Sequence, residues 1–118
     1  MKAILLVSHG SRSSKTKDEV EALMAKIRSR SKFKIVRYAF LEIEKPSISE
    51  GIKQCIDEGA GEVLLLLNFL NAGRHTNEDI PAIVREEKHK YPNVKIKMSK
   101  PVGQHEKIVE LFLDMIKP

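Results

Sequence analysis

Residues 5–15 read LLVSHGSRSSK: an apolar run stops at a histidine and a glycine, passes through a cluster of hydroxyls, and gives way to a helical pattern. With KAILLV (2–7) it makes a near-continuous apolar strand, the signature of a strand covered on both faces in a parallel sheet. The turn and helix that follow make it the first half of a strand–helix unit. The imidazole delivered into that turn fits a metal ligand, a nucleophile, part of an anion-binding loop or a plain polar turn residue. What else reaches the same edge decides among them.

The alternation continues outward from this stretch. KIVRYAF (34–40), EVLLLLNF (62–69) and VKIKMS (94–99) read as further strands. The third resembles the first in its unbroken apolar character and should also be covered on both faces. The fourth alternates Val94, Ile96 and Met98 with lysines, so one face is wet and the strand belongs at an edge. Between them lie helical stripes: Val20, Leu23, Met24 and Ile27, then Ile48, Ile52, Cys55 and Ile56, then Ile80, Ile83 and Val84, then Ile108, Leu111, Phe112 and Met115. The second helix should open after Pro46 with a Ser47…Glu50 capping box, and the third at Thr76 or Asn77. Such alternation implies an α/β fold: a four-stranded parallel sheet with right-handed crossovers and helices on both faces. The order 2-1-3-4 puts the two most apolar strands in the middle and makes a single flavodoxin-like domain of residues 1–118. No repeat or linker interrupts it.

Composition narrows the partners. The chain has 118 residues, 21 basic and 16 acidic, for a net charge of +5, which favours acidic ligands. Nucleic acid is not expected, because the six aromatic residues do not interleave with basic ones as a stacking platform requires. No apolar run is long enough to span a bilayer, so no membrane partner is expected. Met1-Lys2 leads into AILLV without a small-residue cleavage site, which reads as a strand rather than a leader. The single Cys55 cannot form an internal disulfide, and the expected compartment is the cytoplasm.

In a sheet of this order ligands bind beyond the carboxyl ends of the strands, at the switch between the first and third. His9 follows the first strand, Glu42 and Glu44 the second, His75 the third and His105 the fourth. The strands carrying His9 and His75 are neighbours about 5 Å apart, so both imidazoles should reach one ion or substrate, with an acid from Glu42 or Glu44 beside them. Two histidines and a carboxylate suit zinc, cobalt, nickel or ferrous iron. Cys55 lies on a helix stripe and reads as core. In HGSRSSK, Gly10 makes the turn, while Ser11, Ser13 and Ser14 either cap the helix or join Arg12 in holding an anion. Glu78 and Asp79 read foremost as acids favouring a helix N-terminus. His89 falls in the last turn of the third helix, where a cation suits the dipole.

SHGSR (8–12), YAFLEIEKPSISEGI (38–52), EGAGEVLLLLNFLNAGRHTNEDIP (58–81) and KPVGQHEKI (100–108) together resemble the small sirohydrochlorin chelatases of the CbiX type, in order and spacing across essentially the whole chain. The resemblance implies a chelatase-like fold and a lyase that inserts a divalent metal into sirohydrochlorin without ATP. The metal is a substrate rather than a tightly bound cofactor. It also implies the short form of the family, which pairs as a homodimer to build its cleft. His9 and His75 match the family's metal-handling histidines, and Glu42 its acidic position, with Glu44 close by. Ser11, Arg12, Arg74 and His105 are then candidates for the substrate's carboxylates. Asn68 stands where the family commonly has proline. Cobalt ranks first as the family's most usual assignment, with nickel and iron as alternatives, and cobalt implies cobalamin biosynthesis.

Two other readings compete. SHGSR is similar to the arginine-histidine-glycine motif of histidine phosphatases, but Ser8 replaces the arginine that holds the phosphoryl group. A metal or tetrapyrrole carrier using the same rim without catalysis is the non-enzymatic alternative.

Overall fold

In the computed structural model, which describes residues 1–118, the opening apolar run forms β1 (Lys2–Ser8), buried from Ala3 to Ser8. Consecutive burial means that both faces are covered, as a central strand requires. Then follow α1 (Ser14–Arg30), β2 (Ile35–Phe40), α2 (Ile48–Asp57), β3 (Glu62–Leu67), α3 (Ile80–Lys90), β4 (Lys95–Met98) and α4 (Ile108–Ile116). Every pairing is parallel and the order is β2-β1-β3-β4. The expected α/β architecture is therefore present, with β4 at the edge and Lys95 and Lys97 exposed.

The two faces of the sheet are filled unequally. Against α2 and α3 lies a core of 15 buried residues, including Leu5, Val7, Ile52, Val63, Leu65 and Ile80. Against α1 the buried cluster has only 3 members, Leu6, Val20 and Phe40, flanked by half-buried Met24, Ile27 and Leu66. This corrects one expectation. β3 is not covered on both faces like β1: Val63, Leu65 and Leu67 are buried, whereas Leu64 and Leu66 on the α1 side are only half-buried. The run LLLL is apolar on both faces, but the folded chain supplies a full helical layer for only one.

α4 is the second correction. It forms where its apolar spacing predicts, but none of its residues is buried, so it does not cover the sheet. The third concerns the start of α3. His75–Asp79 form a π-helical turn and the α-helix begins only at Ile80, with Pro81 in its first turn. Pro81 lacks a backbone N–H, and the first turn is where that loss is harmless. No helix is long and apolar enough to cross a membrane.

α2 begins as its sequence dictates. Ser47 Oγ accepts from Glu50 N at 3.1 Å, and Glu50 Oε1 accepts from Ser47 N at 2.8 Å, completing the capping box. Those bonds hold the Glu50 carboxyl below its ordinary pKa. Glu87 on α3 is only 2% exposed, and it is satisfied by Ser49 Oγ of α2 at 3.2 Å and Lys90 Nζ at 3.0 Å. A buried carboxylate thus ties the two helices of the filled face together. Burial pushes the Cys55 thiol up to about 11, which keeps it protonated and makes it core rather than a ligand.

The asymmetry is testable by truncation. Leu65→Ala should cost about 2–5 kcal/mol of stability, while Leu64→Ala on the half-covered face should cost clearly less. Denaturant titration of both variants measures this, and a larger loss at Leu64 would overturn the assignment of the main core.

Candidate functional site

Sheet pairing does not stop at the strand ends. Leu41 N donates to Ser8 O (2.9 Å), Glu42 N to His9 O (3.1 Å) and Asn68 N to Val7 O (2.8 Å). The residues just beyond β1, β2 and β3 are thereby fixed as extensions of the same ladder. Asn68 Nδ2 adds a side-chain bond to Ser8 Oγ at 3.0 Å, locking the two central strands where they end.

Two unusual backbone positions shape the loops around His9. Gly10 has φ of +104°, and a Cβ on it would come within 1.9 Å of the Glu42 carbonyl oxygen. Only glycine lets residues 9–12 lie this close to the loop after β2. Across from it Ile43 has φ of +72°, a conformation that β-branched residues rarely adopt, and Glu44 N donates to Glu42 O at 2.8 Å. This tight turn sends the two neighbouring acids to different tasks. Glu42 Oε1 stands 2.8 Å from His9 Nε2. Glu44 Oε1 accepts from Ser11 N at 2.8 Å, so it braces the loop that carries His9. The carboxylate at the histidines is Glu42.

His75 enters from the loop after β3. Gly73–Thr76 form a hydrogen-bonded turn in which Thr76, buried, accepts from Gly73 N at 3.0 Å and donates to Gly73 O at 3.2 Å. The π-helical turn then places His75 Nδ1 2.8 Å from Asp79 Oδ2. His9 and His75 face each other with ring centroids 5.0 Å apart and planes at 57°. Phe69 meets His9 edge-on at 6.5 Å.

One ligand atom each from His9, Glu42 and His75 fall within 4.8 Å of one another. Donors about 2.1 Å from one metal stand roughly 3–4 Å apart. Small side-chain rotations close the difference, and these side chains have room to make them, being 45%, 49% and 46% exposed. The set leaves coordination positions open, which a structural metal site does not. It can hold a divalent metal while a second ligand approaches.

The remaining expected residues are placed less centrally. Ser11 Oγ accepts from Ser13 N at 3.1 Å, and Ser13, the residue before α1, makes no side-chain cap bond, so the serines do not cap the helix in the ordinary way. Arg12 is exposed beside this loop. Arg74 is exposed and lies 3.5 Å from Glu78. His105 is not brought to the other two histidines. Its Nδ1 accepts from Lys107 N at 3.0 Å, and it lines a separate groove with Ser99–Val102. Asp79 is the partner of His75 that the sequence pattern hid, because an acid four residues after a histidine looks the same as a helix-dipole acid. Ile43 and Leu70, both apolar and exposed, also lie on this rim.

Asp79 accepts Nδ1–H of His75 and so leaves Nε2 free to bind a metal. Asp79→Ala should weaken Co²⁺ binding about 10–100-fold without unfolding the chain, as read by isothermal titration calorimetry. Gly10→Ala should displace Glu42 from His9 and weaken binding too, at a stability cost of about 1–3 kcal/mol. Unchanged affinity in either variant would remove that residue from the site's support.

A family model described as CbiX matches residues 3–118. The sirohydrochlorin cobaltochelatase of Priestia megaterium is 35% identical over 112 residues, which cover 95% of this chain and 36% of that protein. The chain thus spans little more than a third of that relative's length. It spans 96% of the sirohydrochlorin cobaltochelatase of Methanocaldococcus jannaschii, which is 28% identical and covers 97% of this chain. The crystal structure of the sirohydrochlorin chelatase SirB from Bacillus subtilis subspecies spizizenii in complex with cobalt superposes with a TM-score of 0.85 at 29% identity, covering 97% of this chain and 49% of that one. By the family match over nearly its whole length, the chain belongs to the CbiX family.

Proposed function

We propose that this protein is a sirohydrochlorin chelatase that inserts a divalent metal into the macrocycle without nucleotide hydrolysis. The observation that carries the reading is the meeting of His9, Glu42 and His75 at the carboxyl edge of the sheet, with positions left open on any ion they hold. The names of the Priestia megaterium and Methanocaldococcus jannaschii relatives support it. Cobalt is the first choice of metal and cobalamin synthesis the first choice of route, with nickel and iron as alternatives, because imidazole and carboxylate accept all three. The reaction is placed in the cytoplasm, in keeping with a lone free thiol, and the working form is a homodimer.

Insertion exchanges the two inner N–H protons of sirohydrochlorin for the metal and releases both as H⁺. His9 and His75 take up the metal through imidazole lone pairs. Metal and proton compete for Nε2 of His9, so loading breaks the 2.8 Å contact with Glu42. Glu42 is then free to complete the metal's ligands or to accept a pyrrole proton as the metal moves into the ring. Because each donor is about half exposed, the site binds its metal without enclosing it, which suits an ion that must leave. Ser11, Arg12 and Arg74 hold carboxylates of the acidic macrocycle, drawn in by a net charge of +5. Phosphoryl transfer is not favoured: Ser8, at the position of the needed arginine, is buried and bonded to Asn68.

The test is anaerobic turnover with sirohydrochlorin and Co²⁺, Ni²⁺ or Fe²⁺, followed by the change in the absorption spectrum. Wild type should insert metal well above the spontaneous rate. His9→Ala and His75→Ala should each lose about 100-fold or more, and Glu42→Gln a smaller factor. If wild type binds cobalt yet leaves the spontaneous rate unchanged, the protein is a carrier and the catalytic reading fails.

A further inference from the structure

Isoleucine is a costly residue at position 43. The three-residue turn Glu42–Glu44 is closed by Glu44 N donating to Glu42 O at 2.8 Å, with Ile43 at its centre at φ of +72°. Turns of this form with a positive central φ are rare and strained. Glycine or asparagine would make the same turn with little penalty. The division of tasks between Glu42 and Glu44 would survive, because it follows from the backbone. The side chain of Ile43 therefore needs a reason of its own. Packing does not supply one, since Ile43 is 60% exposed and joins neither hydrophobic cluster. An exposed apolar side chain kept at a strained position points to a contact that the isolated chain does not make.

Leu70 is its counterpart across His9. It is 65% exposed and also lies outside both clusters. Each of the two directly follows a residue whose side chain meets His9: Glu42 at 2.8 Å from Nε2, and Phe69 edge-on with ring centroids 6.5 Å apart. Each also belongs to backbone held against a glycine. A Cβ on Gly10 would fall 1.9 Å from Glu42 O and 3.6 Å from Glu44 N. One on Gly103 would fall 1.7 Å from Leu70 O and 2.6 Å from Leu70 Cα. Main chain is thus closely backed at both places, while the side chains it carries face solvent. Ile43 follows β2 and Leu70 follows β3, two strands that flank β1 and so stand about 10 Å apart. An apolar lip borders the donor set on either side.

We infer that Ile43 and Leu70 seat one face of the tetrapyrrole over His9, Glu42 and His75, holding the ring by apolar contact while polar and basic residues hold its rim. This rests on the sirohydrochlorin reading above and adds what that reading lacks, a contact for the ring itself. The macrocycle has two chemistries. Its carboxylates lie at the periphery and suit Ser11, Arg12 and Arg74, whereas the ring face is apolar and is what must come down on the metal. Long arginine side chains in solvent set neither the height nor the tilt of that face. Short side chains with few rotamers, on closely backed main chain, set both. A metal ion gains nothing from either side chain, so the lips act on the macrocycle alone.

Ile43→Asn separates a role in binding from a role in the fold. Relief of the positive φ should raise its denaturant midpoint above that of wild type, and its Co²⁺ affinity by calorimetry should be unchanged. The Kd for metal-free sirohydrochlorin, read from the absorption spectrum, should rise at least about tenfold. That rise should persist at about 1 M salt, where charge contacts are screened. In turnover the loss should fall mainly on KM. Ile43→Leu keeps an apolar side chain and should bind the pigment nearly as wild type does. Leu70→Gln should repeat the loss of binding without the gain in stability, because no strain is relieved there. A less stable Ile43→Asn would show that the side chain serves the fold and would overturn the proposal. So would unchanged pigment affinity in Ile43→Asn or Leu70→Gln, a loss that vanishes at high salt, or a parallel loss of Co²⁺ affinity, which would place the effect on Glu42. If wild type binds the pigment without inserting metal, the catalytic reading fails and the lips are still judged by these affinities. If wild type binds no pigment, both fall.

Discussion

Parallel pairing of β1 with both β2 and β3 is the constraint on which the site depends. Every residue of β1 from Ala3 to Val7 has a partner on each side, and the ladder runs on through the backbone of His9, Glu42 and Asn68. Two of the three candidate ligand side chains are therefore projected by backbone that the sheet itself holds, rather than by free loops. That matters because the donors are about half exposed and cannot be fixed by packing. Backbone hydrogen bonds position them while solvent still reaches the donor atoms. His75 lacks this ladder and is held by a separate device, the Thr76 turn below and the Asp79 bond beside it.

The second device is local strain placed where it aims a group. Ile43 at φ of +72° costs on the order of 1–3 kcal/mol, and in return neighbouring carboxylates reach different partners. One reaches His9 and the other braces the loop that carries His9. Gly10 answers it from across the cleft, lacking the Cβ that would strike Glu42. The two loops fit together only with glycine on one side and a reversed turn on the other. An open, half-solvated site made this way sets its donors by geometry rather than by enclosure, as the proposed handling of a metal substrate requires.

Much of this was legible in the sequence. Unbroken apolar runs identified β1 and β3 as central, the lysine alternation identified β4 as an edge, and strand order alone put His9 beside His75. Choosing between Glu42 and Glu44 was not possible, because the choice turns on one positive φ at an isoleucine, and nothing in that residue type announces it. Asp79 was read as a dipole acid because the π-helical turn that brings it onto His75 leaves the same i, i+4 spacing that an ordinary helix would show. His105 was grouped with the other histidines by chain position, but the 3₁₀ turn after β4 carries it to the groove instead. Periodicity announced α4 as an apolar helix and could not say what covers it. An apolar stripe fixes only that a neighbour exists, not which chain supplies it.

That last gap has a physical consequence for the site. A monomeric protein rarely exposes a contiguous apolar surface as large as α4 together with the groove that His105 lines. Leu23 and Asn68 line both the groove and the cleft of about 360 Å³ beside His9. Whatever fills the groove would press on the same Leu23 and Asn68 that border His9, and Asn68 in turn holds Ser8 at the end of β1. Completing the hydrophobic layer and completing the wall of the cleft are then one event. The uneven filling of the two sheet faces thus ties the half-covered side of the sheet to the edge that carries His9.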